Sequence, residues 1–136
     1  MLTGFNHLTL SVSNLSRSFD FYSNLLGLKP EAIWATGAYL SLAELWLCLS
    51  LSGEAISERA TTYTHYAFSI RPEDFEQFKI RLLEHGVRVW QKDSSEGDSL
   101  YFLDPDGHQL EAHVGSLASR LAACKRQPYD GMKFFS

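Results

Sequence analysis

Two cysteines, Cys48 and Cys124, are all that the 136 residues contain. They lie far apart and form no CxxC, and both are expected to stay reduced rather than paired. Four prolines and nine glycines are too few for a collagen-like or low-complexity chain. Basic residues are also short: 12 Lys+Arg against 16 Asp+Glu leave a net charge of −4. That sign argues against a nucleic-acid partner, which calls for a basic surface. No apolar run approaches the ~20 residues that span a bilayer. Leu45-Trp46-Leu47-Cys48-Leu49 is strand-sized, and the first residues lack a basic region before an apolar one. The expectation is a cytoplasmic protein with no membrane partner. What is present is ordinary: 45% hydrophobic and 21% charged residues, in a length that suits one domain. A chain of this size buries roughly two-thirds of its unfolded surface.

The pattern is a unit written twice. Residues 5–12 alternate, with Leu8, Leu10 and Val12 on one face and His7, Thr9 and Ser11 on the other, which predicts a strand. Asn14 is the expected N-cap of a helix carrying Leu15, Phe19, Tyr22, Leu25 and Leu26 at helical spacing, and Gly27 ends it. Three strands follow, Glu31–Ala35, Ala38–Leu42 and Leu45–Leu51, and residues 52–62 read as a linker. Then Thr64–Ile70 predicts a strand, Pro72 opens a helix with Phe75, Phe78, Leu82 and Leu83 as its stripe, and Gly86 closes it. Val87–Trp90, Ser99–Leu103 and His108–Val114 complete the second set, with Asp104-Pro105-Asp106-Gly107 as a tight turn. The His7–Gly27 and His65–Gly86 spacings differ by a single residue.

This predicts an α+β fold in one domain over 1–136. Tandem βαβββ modules span about 5–51 and 63–114, followed by a C-terminal helix and tail at 116–136. Four strands leave an unpaired edge, so the two modules, in one chain or across a dimer, are expected to curl into a half-open mixed sheet around a cleft.

His7 and His65 occupy matching positions of the two modules, and Glu111 alternates into an otherwise apolar strand together with His113. Two imidazoles and a carboxylate could hold a divalent metal and leave positions open for substrate. The same three could equally be hydrogen-bonded core or surface groups, and His113 is the rival ligand. His85 reads as a structural residue at a helix C-terminus, and His108 as exposed. The polar run Asp93-Ser94-Ser95-Glu96-Gly97-Asp98-Ser99 reads either as a solvated hairpin or as an oxygen-rich loop for a hard cation. Arg120 could reach an anion. Tyr39, Trp46, Tyr63, Tyr66 and Tyr101 are aromatics on or beside the cleft strands, for which core packing is the simpler account.

Several strings resemble the fosfomycin-resistance glutathione transferases of the FosA type, in the vicinal oxygen chelate superfamily. Asn6-His7-Leu8-Thr9-Leu10 and the Asp104-Pro105-Asp106-Gly107 turn are general to the superfamily. Tyr63-Thr64-His65-Tyr66-Ala67-Phe68, Ser95-Glu96-Gly97 and Arg120-Leu121-Ala122-Ala123-Cys124 are narrower, and the resemblance runs over nearly the whole chain. It implies a manganese-dependent, potassium-stimulated enzyme that adds glutathione to the epoxide of fosfomycin. The implied metal ligands are His7, His65 and Glu111. Thr9 is implied beside the reacting oxygen, and Tyr39 beside the glutathione thiol. Ser95, Ser99, Tyr101 and Arg120 are implied phosphonate contacts, with Trp46 and Tyr63 lining the pocket. Asp93, Ser95, Glu96, Gly97 and Ser99 are implied to form the potassium loop. A domain-swapped homodimer is also implied, in which His7 meets His65 and Glu111 of the other copy.

The chain departs from that pattern in Trp90-Gln91-Lys92-Asp93-Ser94-Ser95, where the family's lysine falls on Gln91 and its arginine on Ser94. Lys92 points, on alternation, to the opposite face. Two further readings share the fold: another metal-dependent enzyme of the superfamily, a dioxygenase or isomerase, and an antibiotic-binding protein without chemistry.

Overall fold

In the computed structural model, residues 1–52, 62–93 and 96–135 are described. The expected linker therefore lies almost wholly outside the described residues, as do Ser94 and Ser95. The described chain divides into two compact units, one of residues 1–63 with 103–108, the other of residues 64–102 with 109–136.

In the first unit the alternation of residues 5–12 becomes β1 (His7–Val12), with Leu10 and Val12 buried. Asn14 caps α1 (Leu15–Asp20), its side-chain oxygen accepting from the Arg17 amide at 3.0 Å. The expected single α-helix does not continue to Leu26. It widens into a π-helical turn at Phe21–Leu25, so that the consecutive Phe21 and Tyr22 are both buried. Gly27 then leaves with φ of +85°, a conformation that favours glycine. β2 (Lys29–Trp34), β3 (Gly37–Leu42) and β4 (Leu45–Leu51) follow, and the sheet order is β1-β4-β3-β2 with β1 parallel to β4. β2 is an exposed edge, and its register slips beside Pro30, which has no N–H for a ladder. Leu40, Leu47 and Leu49 fill the buried face of the sheet.

The second unit repeats that topology. β5 (Tyr66–Ser69), α2 (Pro72–Glu84), β6 (Val89–Gln91), β7 (Ser99–Leu103) and β8 (Gln109–His113) give the order β5-β8-β7-β6, again with the first strand parallel to the last. Pro72 stands in the first turn of α2, and Gly86 exits at φ +74°. Phe78 meets Phe102 edge-on at 5.9 Å, which joins the apolar stripe of α2 to β7. The expected strand over Thr64–Ile70 is shorter than drawn. Ladder pairing with β8 starts at Tyr66↔Leu110, so His65 stands just before β5 rather than within it. α3 (Leu117–Arg126) opens on a capping box in which Ser116 and Ser119 bond each other's amides at 2.9 and 3.1 Å.

The Asp104–Gly107 turn is more than a reversal. Asp104 accepts the amides of Asp106 and His108 through one oxygen, and the Tyr22 hydroxyl through the other at 2.6 Å. Breaking that buried Tyr22 bond would cost about 1–3 kcal/mol, because Asp104 is buried. Asp106 takes the amide and hydroxyl of Ser13. His108, expected to be exposed, is buried, and its Nε2 donates to the Ser11 carbonyl at 2.9 Å. Among the described residues no helix is long and apolar enough to cross a membrane.

Candidate metal centre

Strand pairing decides which of the expected residues share a face. In the first unit β1 lies beside β4, and β4 beside β3. The cross-strand row Thr9↔Cys48↔Tyr39 neighbours the row His7↔Trp46↔Ser41. The side chains of these rows emerge opposite the buried Leu10, Leu40, Leu47 and Leu49, by the period of two. His7 stacks on Trp46, ring centroids 4.6 Å apart and planes 13° from parallel. Its Nδ1 lies 2.6 Å from the Asn6 side-chain oxygen. That oxygen can only accept, so the Nδ1 proton is fixed there and Nε2 keeps its lone pair for a ligand role. Tyr39 leans edge-on against Trp34 at 4.7 Å.

In the second unit His65 and Glu111 come together although 46 positions separate them. His65 Nε2 lies 3.0 Å from Glu111 Oε1, with the carboxylate side chain only 7% exposed. Two donors at ~2.1 Å from one metal and at right angles to each other stand ~3.0 Å apart, so this pair fits a divalent cation bound by both. Trp90 and Tyr101 wall the imidazole, at centroid distances of 5.6 and 6.1 Å, and meet each other edge-on at 5.3 Å. Tyr101 is buried. Trp90 anchors this wall by donating its indole N–H to the Leu110 carbonyl at 3.0 Å. Among the described residues no group of three or more His, Cys, Asp or Glu side chains is placed to hold a metal.

His113 shares the Glu111 face of β8, as alternation requires, and its Nδ1 lies 3.5 Å from Glu111 Oε2. Ser99 stands between: its hydroxyl lies 2.7 Å from Glu111 Oε2 and 2.6 Å from His113 Nδ1. The implied phosphonate contact of Ser99 therefore meets a hydroxyl already engaged on both sides.

Arg120, implied as a phosphonate contact, donates from Nε to Glu96 at 3.1 Å and lies 3.5 Å from His113 Nε2. The bond from Arg120 holds the Glu96 carboxyl below its ordinary value of 4.5, and the same pair raises the Arg120 guanidinium. A carboxyl whose folded value is depressed contributes stability that is present above 4.5 and lost as pH falls through the lowered value. Arg120→Ala should therefore move the Glu96 titration upward into the ordinary carboxylate range. Side-chain carboxyl NMR reads this directly, and an unmoved midpoint would refute the pairing.

The other expected loop residues are placed as follows. Asp93 accepts the Ser99 amide at 3.0 Å, and the Asp98 carbonyl accepts the Val114 amide at 2.8 Å. Gly97 has φ of +72°, and a Cβ there would stand 2.1 Å from the Val114 carbonyl oxygen, so the loop lies against the start of the α3 connection without room for a side chain. Ser95 is outside the described residues, and Tyr63 is exposed. His85 is structural, as expected, and donates from Nδ1 to the Arg81 carbonyl at 2.7 Å. Sequence reasoning missed Trp90, which an aromatic-to-polar alternation over three residues is too short to assign.

Residues 4–112 match the family described as the Glyoxalase/Bleomycin resistance protein/Dioxygenase superfamily. The chain is 54% identical over 138 aligned positions to a glutathione transferase FosA from Serratia marcescens, covering 100% of this chain and 98% of that protein. It is 41% identical to a metallothiol transferase FosB from Staphylococcus epidermidis, covering 92% of this chain and 93% of that one. Among solved structures it resembles a variant of the fosfomycin resistance protein FosX from Listeria monocytogenes in complex with Mn(II) and 1S,2S-dihydroxypropylphosphonic acid. That likeness has a TM-score of 0.78 at 30% identity, over 90% of this chain and 99% of the other.

Proposed function

The chain belongs to the Glyoxalase/Bleomycin resistance protein/Dioxygenase superfamily, on the branch that holds the FosA and FosB thiol transferases, and from that premise we propose that it is a metal-dependent glutathione S-transferase that opens the epoxide of fosfomycin and so confers resistance to it. One observation carries the reading: the His65–Glu111 pair at 3.0 Å, in a chain 54% identical along its full length to a glutathione transferase. Manganese is the metal we assign, supported by the Mn(II) of the FosX complex. The whole chain acts as one superfamily domain. The assembly we propose is a homodimer in which the third donor is the partner's His7. Potassium is assigned to the Asp93–Ser99 loop, whose described side chains bring carboxylates into an already polar turn.

The reaction forms a sulfur–carbon bond and breaks a carbon–oxygen bond. The oxygen keeps the electron pair and then takes a proton. When bound, the divalent cation supplies Lewis acidity that stabilises the charge growing on that oxygen. His65 and Glu111 set where it sits. The Trp90–Tyr101 wall excludes water from their flank. Arg120, its Nε engaged by Glu96 and its Nη2 3.5 Å from His113 Nε2, is the guanidinium we assign to the phosphonate dianion, a group it can bind with charge-assisted hydrogen bonds. Thr9 and Tyr39, in one cross-strand row, present two hydroxyls for the reacting oxygen and the thiol, and Trp46 stacked on His7 gives the row an apolar border. The positions of Gln91 and Ser94 carry no cation, so we assign the anionic substrates' charge to Arg120 and the two metal ions alone.

The test is incubation of the purified protein with Mn²⁺, K⁺, fosfomycin and glutathione, followed by mass spectrometry. The expected product has the summed mass of both substrates. A product that adds only water would make water the nucleophile. Unchanged substrates at millimolar concentration would reject the reading.

A further inference from the structure

We propose that His113 is a positioning residue for the metal ligand Glu111, acting through Ser99, an inference that rests on the reading above only for the assignment of Glu111 as a ligand. The three residues come from two strands, Ser99 from β7 and the other two from β8, and they form an unbroken line of contacts. Glu111 Oε1 faces His65 Nε2 at 3.0 Å, while Oε2 receives the Ser99 hydroxyl at 2.7 Å. Ser99 Oγ lies 2.6 Å from His113 Nδ1, the shortest link in the line, while the same Nδ1 stands 3.5 Å from Glu111 Oε2.

Counting protons orders the line. A ligating carboxylate only accepts hydrogen bonds, so the single hydroxyl proton of Ser99 goes to Glu111. The oxygen of Ser99 is then left to accept, and the imidazole must present N–H at Nδ1. The ring thus decides where the serine hydroxyl points, and the hydroxyl decides which carboxylate oxygen is tied back and which is left for His65 and the cation. Without the ring, Ser99 is free to rotate and Glu111 loses the restraint on its outer oxygen.

The ring itself is held in place. Glu96 Oε1 and Arg120 Nη2 lie 3.3 and 3.5 Å from its Nε2. Gly115 leaves the space it fills: a Cβ at that position would come within 2.6 Å of His113 Nε2 and 3.1 Å of Glu96 Oε1. A side chain boxed on both edges and bonded at Nδ1 has one orientation. It also ties the Glu96–Arg120 pair to the carboxylate at the metal centre through a single imidazole. Partners of metal ligands at this remove typically change metal affinity by roughly 10–100-fold when deleted.

The experiment titrates Mn²⁺ into the full-length protein and reads the free ion by electron paramagnetic resonance, with circular dichroism as the folding control. The variants are His113→Ala, His113→Asn and His113→Gln. Asparagine carries an amide N–H near the place of Nδ1, whereas glutamine carries it near Nε2. Alanine should weaken binding by roughly 10–100-fold, asparagine should restore it to within a few-fold of wild type, and glutamine should not. Wild-type affinity in the alanine variant would overturn the proposal. So would equal losses in all three variants with folding intact, which would mean that the ring only packs. A wild-type protein that binds Mn²⁺ but forms no glutathione adduct would sink the transferase reading and leave this inference standing. One with no Mn²⁺ affinity would overturn both.

Discussion

Glu111→Gln and His65→Ala are each expected to lower kcat/KM for glutathione addition by about 10³-fold or more, with loss of bound metal after dialysis. The two side chains form the closest carboxylate–imidazole contact among the described residues of the second unit, and Glu111 is buried. Glutamine keeps the shape of Glu111 and its bond from Ser99, but its neutral oxygen is a poor ligand for a hard divalent ion. The substitution therefore separates loss of the charge from loss of packing. Alanine at 65 opens space beside Trp90 and Tyr101 and leaves Glu111 Oε1 without its imidazole, which adds about 1–3 kcal/mol of instability to the catalytic defect. Metal content by plasma mass spectrometry, activity and thermal unfolding should be measured on the same samples. Glu111→Gln with full metal and full rate would remove the metal centre from consideration. The binding-protein alternative also predicts no dependence on these two residues, and a dioxygenase would replace the thiol adduct by oxygen uptake.

A sharper result is expected from mixing two inactive proteins. If the third donor is the partner's His7, then His7→Ala and Glu111→Ala chains unfolded together and refolded should regain activity. Each mixed dimer would hold one site lacking both residues and one site lacking neither. With random pairing half of the dimers are mixed, and one site in two is intact within them, so the recovery should be about a quarter of the wild-type rate. Neither variant refolded alone should recover. Activity of the mixture no higher than that of its components, with dimers confirmed by sedimentation, would place His7 outside any shared centre. The His7 geometry favours a ligand role, because Asn6 takes the Nδ1 proton and Trp46 fixes the plane of the ring. Relief of that stack in Trp46→Ala would loosen the imidazole without removing it.

Much of the architecture was legible because it follows local rules. The period of two in residues 7–12, the Asn14 cap, Pro72 at the start of a helix and the glycines that end both helices each act within a few residues. The matched spacing of the modules then implied a shared topology, and both sheets show it, with the first strand parallel to the last. Local rules failed where a tertiary contact outbid them. The helix after Asn14 widens at Phe21 because two neighbouring aromatic side chains both find a core, which the 3.6-residue period does not anticipate. His108 follows a turn glycine, a place that is usually solvated, but the turn folds back on β1 and the ring satisfies the Ser11 carbonyl.

The candidate site divides in the same way. His65 could be nominated from the chain because it matches His7 across the repeat, and Glu111 because a carboxylate alternates into an otherwise apolar strand. Spacing along the sequence also placed Glu111 and His113 on one face. The order of the strands alone brought Ser99 between them, since β7 lies next to β8 and its first residue falls at their height. Arg120 and Glu96 meet because α3 starts where Gly97 lets the loop approach the backbone of Val114. Residue type and periodicity, which depend on bonds along the chain, thus determined the elements, their doubling and the chemical character of the donors. Which donors touch, which hydroxyl is already committed and which histidine is buried were decided only by tertiary packing, because hydrogen bonds between distant segments have no signature in the order of the residues.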